Sequence, residues 1–580
     1  MPYPSHGLVV ALPFAFAAMA SVIACGADAP ASRAPSAPAA PGVSTMARSS
    51  GSSVAVPDAH ANAPRDDASP TSPIDSRSGS NAASNDANAG RAPAKPTLST
   101  RSFQTFIWEN ARYDKNGMIG FFRAGARVVR SAEPYDGKDA VPCGGKWYKL
   151  EPAGFVCEGK DGVTLDASDP VVAAAAKYPP KAEPLPYGYG MSHGSVMYAR
   201  VPTKDEQKAA EGDVAAWQKT MSDLRAKTPP EKLWPEIALP IGDMPSFLEN
   251  HAQAPAILPG LAANKSARGG YAMPSVRLAF VSAFESEGRP FYLTTEHLVV
   301  PADRVRAAKL SDFRGVELAP PGQAGEHLPM AWVRFPSDKM PAHVYKLEDD
   351  VLTKTDVVLA YQSHSAIAES DVLVMGAKYH ELTARPVALA AGGDDARARV
   401  KYVVKSTDVT RLDAAKAVPD KVGADEVWID VSLYKQTLVA YRGLVPTFAT
   451  LISSGSGSKT HSTPWGAFRV YQKHISSRMS AEEKPAVEGD GAAIKSEEAE
   501  HAYRYDDVPY VQYVVGGIAL HAAFWHEGFG LPRSHGCINL APRDAQTVFG
   551  KTLPALPAGW HGIAPGRAGL PLGTMVVIRG

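Results

Sequence analysis

Two segments near the C-terminus, Leu520-His521-Ala522-Ala523-Phe524-Trp525-His526 and Arg533-Ser534-His535-Gly536-Cys537-Ile538-Asn539, hold the residue types of nucleophilic thiol chemistry. The thiolate is the attacking species, so a cysteine of this kind needs a base or a cationic neighbour to ionise it. A histidine adjacent in sequence usually points its side chain elsewhere, so the fold must deliver the base. In a β architecture His521 on one strand can face Cys537 after the chain loops back. Gly536 leaves space beside the sulfur and lets backbone N–H groups turn toward a developing oxyanion. A metal centre built from His521, His526, His535 and Cys537 is the rival reading. Structural zinc usually shows a close pair such as Cys-x-x-Cys, which is absent here, so neither metal nor cofactor is expected.

The elements that must position these groups start near Lys421. Val427-Trp428-Ile429-Asp430-Val431 opens a strand run, residues 435–443 read as a hairpin arm and residues 445–453 as its return. Further upstream, Ile119 to Val129, Trp147-Tyr148-Lys149-Leu150 and Gly154-Phe155-Val156-Cys157 are short β-rich runs separated by turn residues, the pattern of a small barrel. Residues 205–227 turn helical, with Trp217, Met221 and Leu224 on one face expected to pack in the core. Short strands return between Gly270 and Thr410, including Ser275 to Val281, Met330 to Phe335, Val372 to Met375 and Val400 to Val404. No function follows for this middle region.

The chain has 580 residues, long enough for several modules, and 60 basic residues balance 60 acidic ones. That balance gives no electrostatic reason to invoke nucleic acid. Leu8 to Ala24 is almost wholly apolar and has the length of a signal-peptide core. It ends in Val22-Ile23-Ala24-Cys25-Gly26, which resembles a lipoprotein processing site with Cys25 as the lipidated residue, although Met1 to Gly7 lacks Lys and Arg. Residues 26–100 are rich in Ala, Pro and Ser and cannot bury enough apolar surface to fold, so they read as a tether. Cys143 and Cys157 flank one short segment and could close a disulfide in an oxidising envelope. The role of Cys537 is then decided by its neighbours. His461, His474 and His501 carry no motif and are expected at the surface. Ser192-His193-Gly194-Ser195 mimics the cysteine motif with serine and lacks the upstream histidine, so it reads as coincidence.

The C-terminal quarter resembles the L,D-transpeptidase catalytic (YkuD) family on His521-Ala522, Ser534-His535-Gly536-Cys537-Ile538-Asn539, Ser453-Ser454-Gly455, Thr463-Pro464-Trp465-Gly466-Ala467-Phe468 and Asp507-Val508-Pro509-Tyr510. Ala522 stands where the family pattern has glycine. The region at 101–170 is loosely similar to bacterial SH3-like modules, which often bind cell-wall peptides. These resemblances imply a mainly β, multidomain protein: a lipoprotein signal at 1–25, a tether at 26–100, an SH3-like small β-barrel at 101–170, a β-rich middle at 171–420 with room for a second SH3-like unit, and a YkuD-type β-sandwich catalytic domain at 421–580. They imply Cys537 as nucleophile, His521 as general base, and Ser534, His535 and Gly536 as residues shaping the loop and the oxyanion site. Arg533 would meet a stem-peptide carboxylate. Trp525 and His526 would line the substrate groove, and Asn539 would hold the loop or touch substrate. The implied reaction is peptidoglycan crosslinking by acyl transfer from a tetrapeptide stem with loss of D-Ala, by a monomer lipid-anchored in the cell envelope. L,D-carboxypeptidase action, attachment of a protein to the wall, and non-enzymatic wall binding are the alternatives.

Overall fold

The computed structural model describes residues 95–580, apart from residue 115 and segments 137–142, 160–161, 258–267, 385–399, 458–460 and 481–503. The expected signal segment with Cys25, the tether as far as residue 94, and His501 lie outside the described residues, and the end of the expected tether is corrected, since Thr97–Thr100 is a strand paired with Arg127–Val129. Lys95–Gly580 belong to one compact unit, mainly β and multidomain in architecture.

The C-terminal domain is built on Val427–Ser432, whose six residues are all buried. A strand alternates its side chains between two faces, so burial throughout means cover on both sides. Thr437–Arg442 pairs antiparallel on one side and Met575–Arg579 parallel on the other. Val445–Leu451, Val316–Glu317 and Gly466–Arg469 complete six strands. On one face Ile429, Val431, Leu438, Ala440 and Val576 pack against Leu520, Ala522, Phe524, Ile538 and Leu540, and against Ala545 and Val548 of the helix Pro542–Lys551. On the other face Trp428, Val439, Tyr441 and Leu451 pack against Phe313, Met330, Trp332, Leu412 and Phe529. Residues of the middle region therefore finish the C-terminal domain's core.

The second layer carries His521 and Asn539. Arg504–Val515 pairs antiparallel with Gln472–Ser480 and with Ile518–Ala522. Ile518–Ala522 runs parallel to Ile538–Leu540, with His521 opposite Asn539. This layer does not stop at a domain edge. Gly562–Ile563 bridges Gln472–Ser480 to Met118–Phe122. Arg277, at the start of Arg277–Ser286, pairs with Tyr505. The small N-terminal β unit is not closed on itself, because Trp560 and Ile563 complete its core around Ile107, Ile119, Phe122 and Val156. Gly562 is needed at this seam, since a Cβ there would lie 2.2 Å from the Phe121 ring. Cys143 and Cys157 in this unit are joined by a disulfide.

The middle region also braces the loop between the two catalytic segments. Tyr361 donates its hydroxyl to the Phe529 carbonyl at 3.0 Å, and Gln362 donates to the Glu527 carbonyl at 2.8 Å. Gly530 sits at φ +101°, where a Cβ would meet Arg334 at 2.9 Å.

Two further expectations are corrected. The stripe Trp217, Met221, Leu224 lies on the helix Val214–Ala226, which buries no residue. Trp217 instead packs under Arg304 at 4.0 Å and donates to the Asp303 carbonyl, while Leu224 is 46% exposed. The 3.6-residue spacing was right, but an amphipathic stripe does not say whether a core or an open groove receives it. His474 is half-buried in the seam between segments, not exposed at the surface. Its ring meets Phe121 edge-on, and burial, with Arg123 nearby, pushes its pKa down to about 3.

Candidate active site

His521 and Cys537 line one cavity of about 260 Å³ with Met479, Tyr505, Trp525 and His526. The parallel pairing explains this meeting. His521 stands opposite Asn539, and Cys537 precedes Asn539 by two positions on the same side of an extended chain. Both residues are almost fully buried, at 3% and 2% exposure. The chemistry below is that of the Cys537 thiol.

The imidazole of His521 is oriented by its own strand. Its Nδ1 lies 3.0 Å from the Ala522 carbonyl. A carbonyl only accepts, so Nδ1 carries the proton and Nε2 keeps its lone pair. Burial pushes the ring's pKa down to about 4, offset only in part by that carbonyl. The ring is neutral near pH 7 and able to take a proton. Trp525 covers it at 5.8 Å between ring centroids and is itself packed on Tyr505 at 4.5 Å.

The cysteine loop is clamped from below by residues 453–456. Ser453 and Asn539 exchange two backbone hydrogen bonds of 2.9 Å, and the N–H groups of Arg533 and Ser534 both reach the Ser454 carbonyl. Thr463 donates its hydroxyl to the Gly536 carbonyl at 2.8 Å and accepts from the Gly455 N–H at 2.9 Å. A Cβ on Gly455 would lie 3.1 Å from the Gly536 Cα. Gly536 has φ +127°, a conformation that side-chain-bearing residues rarely adopt. Its N–H is donated to Ser534 Oγ at 3.0 Å, and Ser534 Oγ in turn donates to the Cys537 carbonyl. Gly536 and Ser534 therefore shape the loop, and in this conformation the Gly536 N–H does not face a reacting carbonyl. His535 is exposed and meets His461 edge-on at 4.3 Å.

His526 and Asn539 form a second pair. A neutral imidazole has one donor and one acceptor nitrogen. The Gly528 N–H points at His526 Nδ1, so Nε2 carries the proton. The Asn539 amide atom 3.0 Å from Nε2 must then be its oxygen. The amide NH₂ takes the other, buried position, which has no protein partner. Arg533 is exposed at the cavity mouth and crosses Gly528 so closely that a Cβ there would meet its Nε. Among the described residues no three His, Cys, Asp or Glu side chains are grouped to hold a metal.

Met479, Tyr505 and Arg277 were not foreseen at the site. Arg277 stacks over Tyr505 at 4.2 Å and reaches Trp525 at 5.9 Å. Nothing in its local sequence marks it, because its place follows from the long-range pairing with Tyr505. Thr463 did carry a signal in the Thr-Pro stretch, but its crosslink to Gly536 needed the fold.

Burial makes this region acid-labile. His521 and His526 are held to about 4, His474 to about 3 and His561 well below its usual value, each chiefly by desolvation. Between pH 6.5 and about 4 the unfolded chain binds protons there that the native chain does not, so stability falls as pH falls. Asp544, raised to about 6, and Glu296, also raised by burial, oppose with the reverse sign. Each uncompensated proton is worth up to about 1.4 kcal/mol per pH unit. Thermal melts between pH 7 and 4.5 should show a falling Tm, with a shallower slope in His474→Gln. A flat Tm across that window would contradict the buried neutral state.

Residues 426–578 match the family described as YkuD, L,D-transpeptidase catalytic domain. No curated protein sequence matches the chain. Similar solved structures include an Enterococcus faecium L,D-transpeptidase, at 21% identity and TM-score 0.19, covering 27% of this chain and 50% of that one. The chain thus spans about half the length of that relative. A Mycobacterium smegmatis L,D-transpeptidase matches at 16% identity and TM-score 0.20, covering 37% of this chain and 98% of that one. The E. faecium catalytic domain acylated by ertapenem matches at 22% identity and TM-score 0.19, covering 27% and 99%.

Proposed function

We propose that the YkuD L,D-transpeptidase catalytic domain at residues 426–578 crosslinks peptidoglycan stem peptides by acyl transfer through Cys537. The carrying observation is the shared cavity of Cys537 and His521, with the Ala522 carbonyl fixing the ring so that Nε2 is the basic atom. In the first half-reaction Nε2 takes the thiol proton and the sulfur attacks the carbonyl of the third stem residue. A C–S bond forms, the C–N bond to D-Ala breaks, and the imidazolium returns its proton to the departing amine. The developing oxyanion is met by backbone N–H groups of His535 and Cys537 and by the Asn539 NH₂, which is buried without a protein partner. In the second half-reaction an amine of a neighbouring stem attacks the thioester. The C–N bond forms, the C–S bond breaks, and the amine proton passes through His521 to the sulfur. Arg533 at the mouth suits the terminal carboxylate of the donor. In this reading Cys25 carries the lipid that anchors the enzyme in the envelope, and the tether gives it reach.

The same thioester given to water would make an L,D-carboxypeptidase. Incubating the reduced protein with a defined disaccharide-tetrapeptide separates the outcomes. Release of D-Ala together with a dimer linked through two third residues is expected. Tripeptide alone would convert the reading to hydrolysis, and no D-Ala release would end the enzymatic reading.

A further inference from the structure

A groove of about 680 Å³ adjoins the catalytic cavity and shares Trp525 and His526 with it as walls. Its other wall comes from the middle region, outside the residues that match the family. Lys227, Lys232, Arg277, Arg306 and Lys309 line it, against Glu231 and Glu527. None of these five cations forms an ion pair with a carboxylate among the described residues. Arg306 lies over the Trp234 ring at 4.6 Å, Arg277 over Tyr505, and Lys309 donates to a backbone carbonyl. Elsewhere in the unit partly buried arginines are neutralised: Arg289 by Glu211 and Asp303, Arg123 by Asp507, Arg478 by Asp506. Arg277 and Arg306 are part-buried without a carboxylate partner, and the exposed Lys227, Lys232 and Lys309 add positive charge at the rim, so the groove presents a cationic surface suited to an anion. His193 adds a buried Nε2 with no partner.

We propose that this groove is the acceptor subsite, and that it holds the carboxylates of the second stem peptide while its amine passes Trp525 and His526 to the thioester. The inference rests on the acyl-transfer reading above. The groove does not include Cys537, so its occupant is not the acylating donor. Its position beside the cavity is where a nucleophile must wait once the donor fills the 260 Å³ around the sulfur. Holding the acceptor there also explains how transfer outcompetes hydrolysis. The long stripe of the helix Val214–Ala226, which found no core, supplies Leu224 to the groove's apolar side.

The test uses the full chain, reduced, with a disaccharide-tetrapeptide as donor and acceptor. Lys227→Glu/Lys309→Glu changes two exposed side chains. It should leave D-Ala release in the first turnover unchanged, cut dimer formation about tenfold, and raise tripeptide in its place, the loss expected of one or two charge-assisted contacts. Arg306→Gln should act in the same direction. With an added tripeptide-stem acceptor, which has no D-Ala to lose and so cannot serve as donor, converting that acceptor's carboxylates to amides should impose the same loss on the parent, with little further loss in the variant. Equal dimer formation by parent and variant overturns the subsite while leaving the acyltransfer reading intact. Absence of D-Ala release from the parent itself overturns both.

Discussion

Cys537→Ala is expected to release no D-Ala from a tetrapeptide stem and to take no covalent adduct from a carbapenem, while the reduced parent does both. Every step proposed here passes through a C–S bond at residue 537, and no other cysteine lines the cavity. Water placed by the remaining oxyanion donors could only hydrolyse slowly. Removing a nucleophile of this kind usually costs about 10⁴-fold or more. The substitution removes one buried atom from a small apolar cluster with Met479, Val508, Val511 and Tyr513, so the fold should survive. Cys537→Ser keeps the geometry with a far weaker nucleophile and should be nearly as inactive. The parent is assayed with a thiol reductant so that Cys537 is a free thiol. Intact mass after exposure to ertapenem reads the result directly: an adduct of equal yield on the alanine variant would sink the assignment.

Much of this site was legible in the chain because its chemistry is local. Ser534 to Cys537 form one bend that runs directly into the strand Ile538–Leu540, and His521 lies on the strand paired with it. Residue types and order were enough to nominate the nucleophile and the base. The sheet Val427–Ser432, Thr437–Arg442 and Val445–Leu451 was legible for the same reason, being a meander whose strands pair with their sequence neighbours. What was not legible depends on distant pairing. Arg277 reaches the site only because its strand meets Tyr505 across the second layer. The Gly536 N–H looked available for an oxyanion until the Ser534 hydroxyl claimed it. His474 looked like a surface residue because burial at a seam between segments leaves no local pattern. The middle region had no function in the sequence, yet it covers one face of the catalytic sheet, braces residues 527–530 and lines the cationic groove. Such roles belong to surfaces that exist only after the chain has folded.

His521→Ala should lower the rate of acylation by about 10³-fold, within the range that a positioned general base contributes. Loss of packing could mimic this, since His521 is buried against Trp525. His521→Gln fills much of the same volume without a basic nitrogen of useful strength, so it should be almost as slow and as stable as the parent. The pH profile separates a base from a mere filler. In the parent, acylation at low substrate should fall on the acid side with a midpoint below 6.5, because burial disfavours protonation of the ring. A neighbouring thiolate would move that midpoint up from about 4, and the ordinary histidine value bounds it from above. In both variants the acid limb set by the ring should disappear. The remaining rate should climb roughly tenfold per pH unit toward the thiol's own ionisation. A variant that keeps the parent's acid limb while losing rate would assign that limb to another group and leave His521 a packing role. The geometry argues against that outcome: the proton on Nδ1 is committed to the Ala522 carbonyl, and the nitrogen left basic belongs to a ring that lines the same cavity as the sulfur.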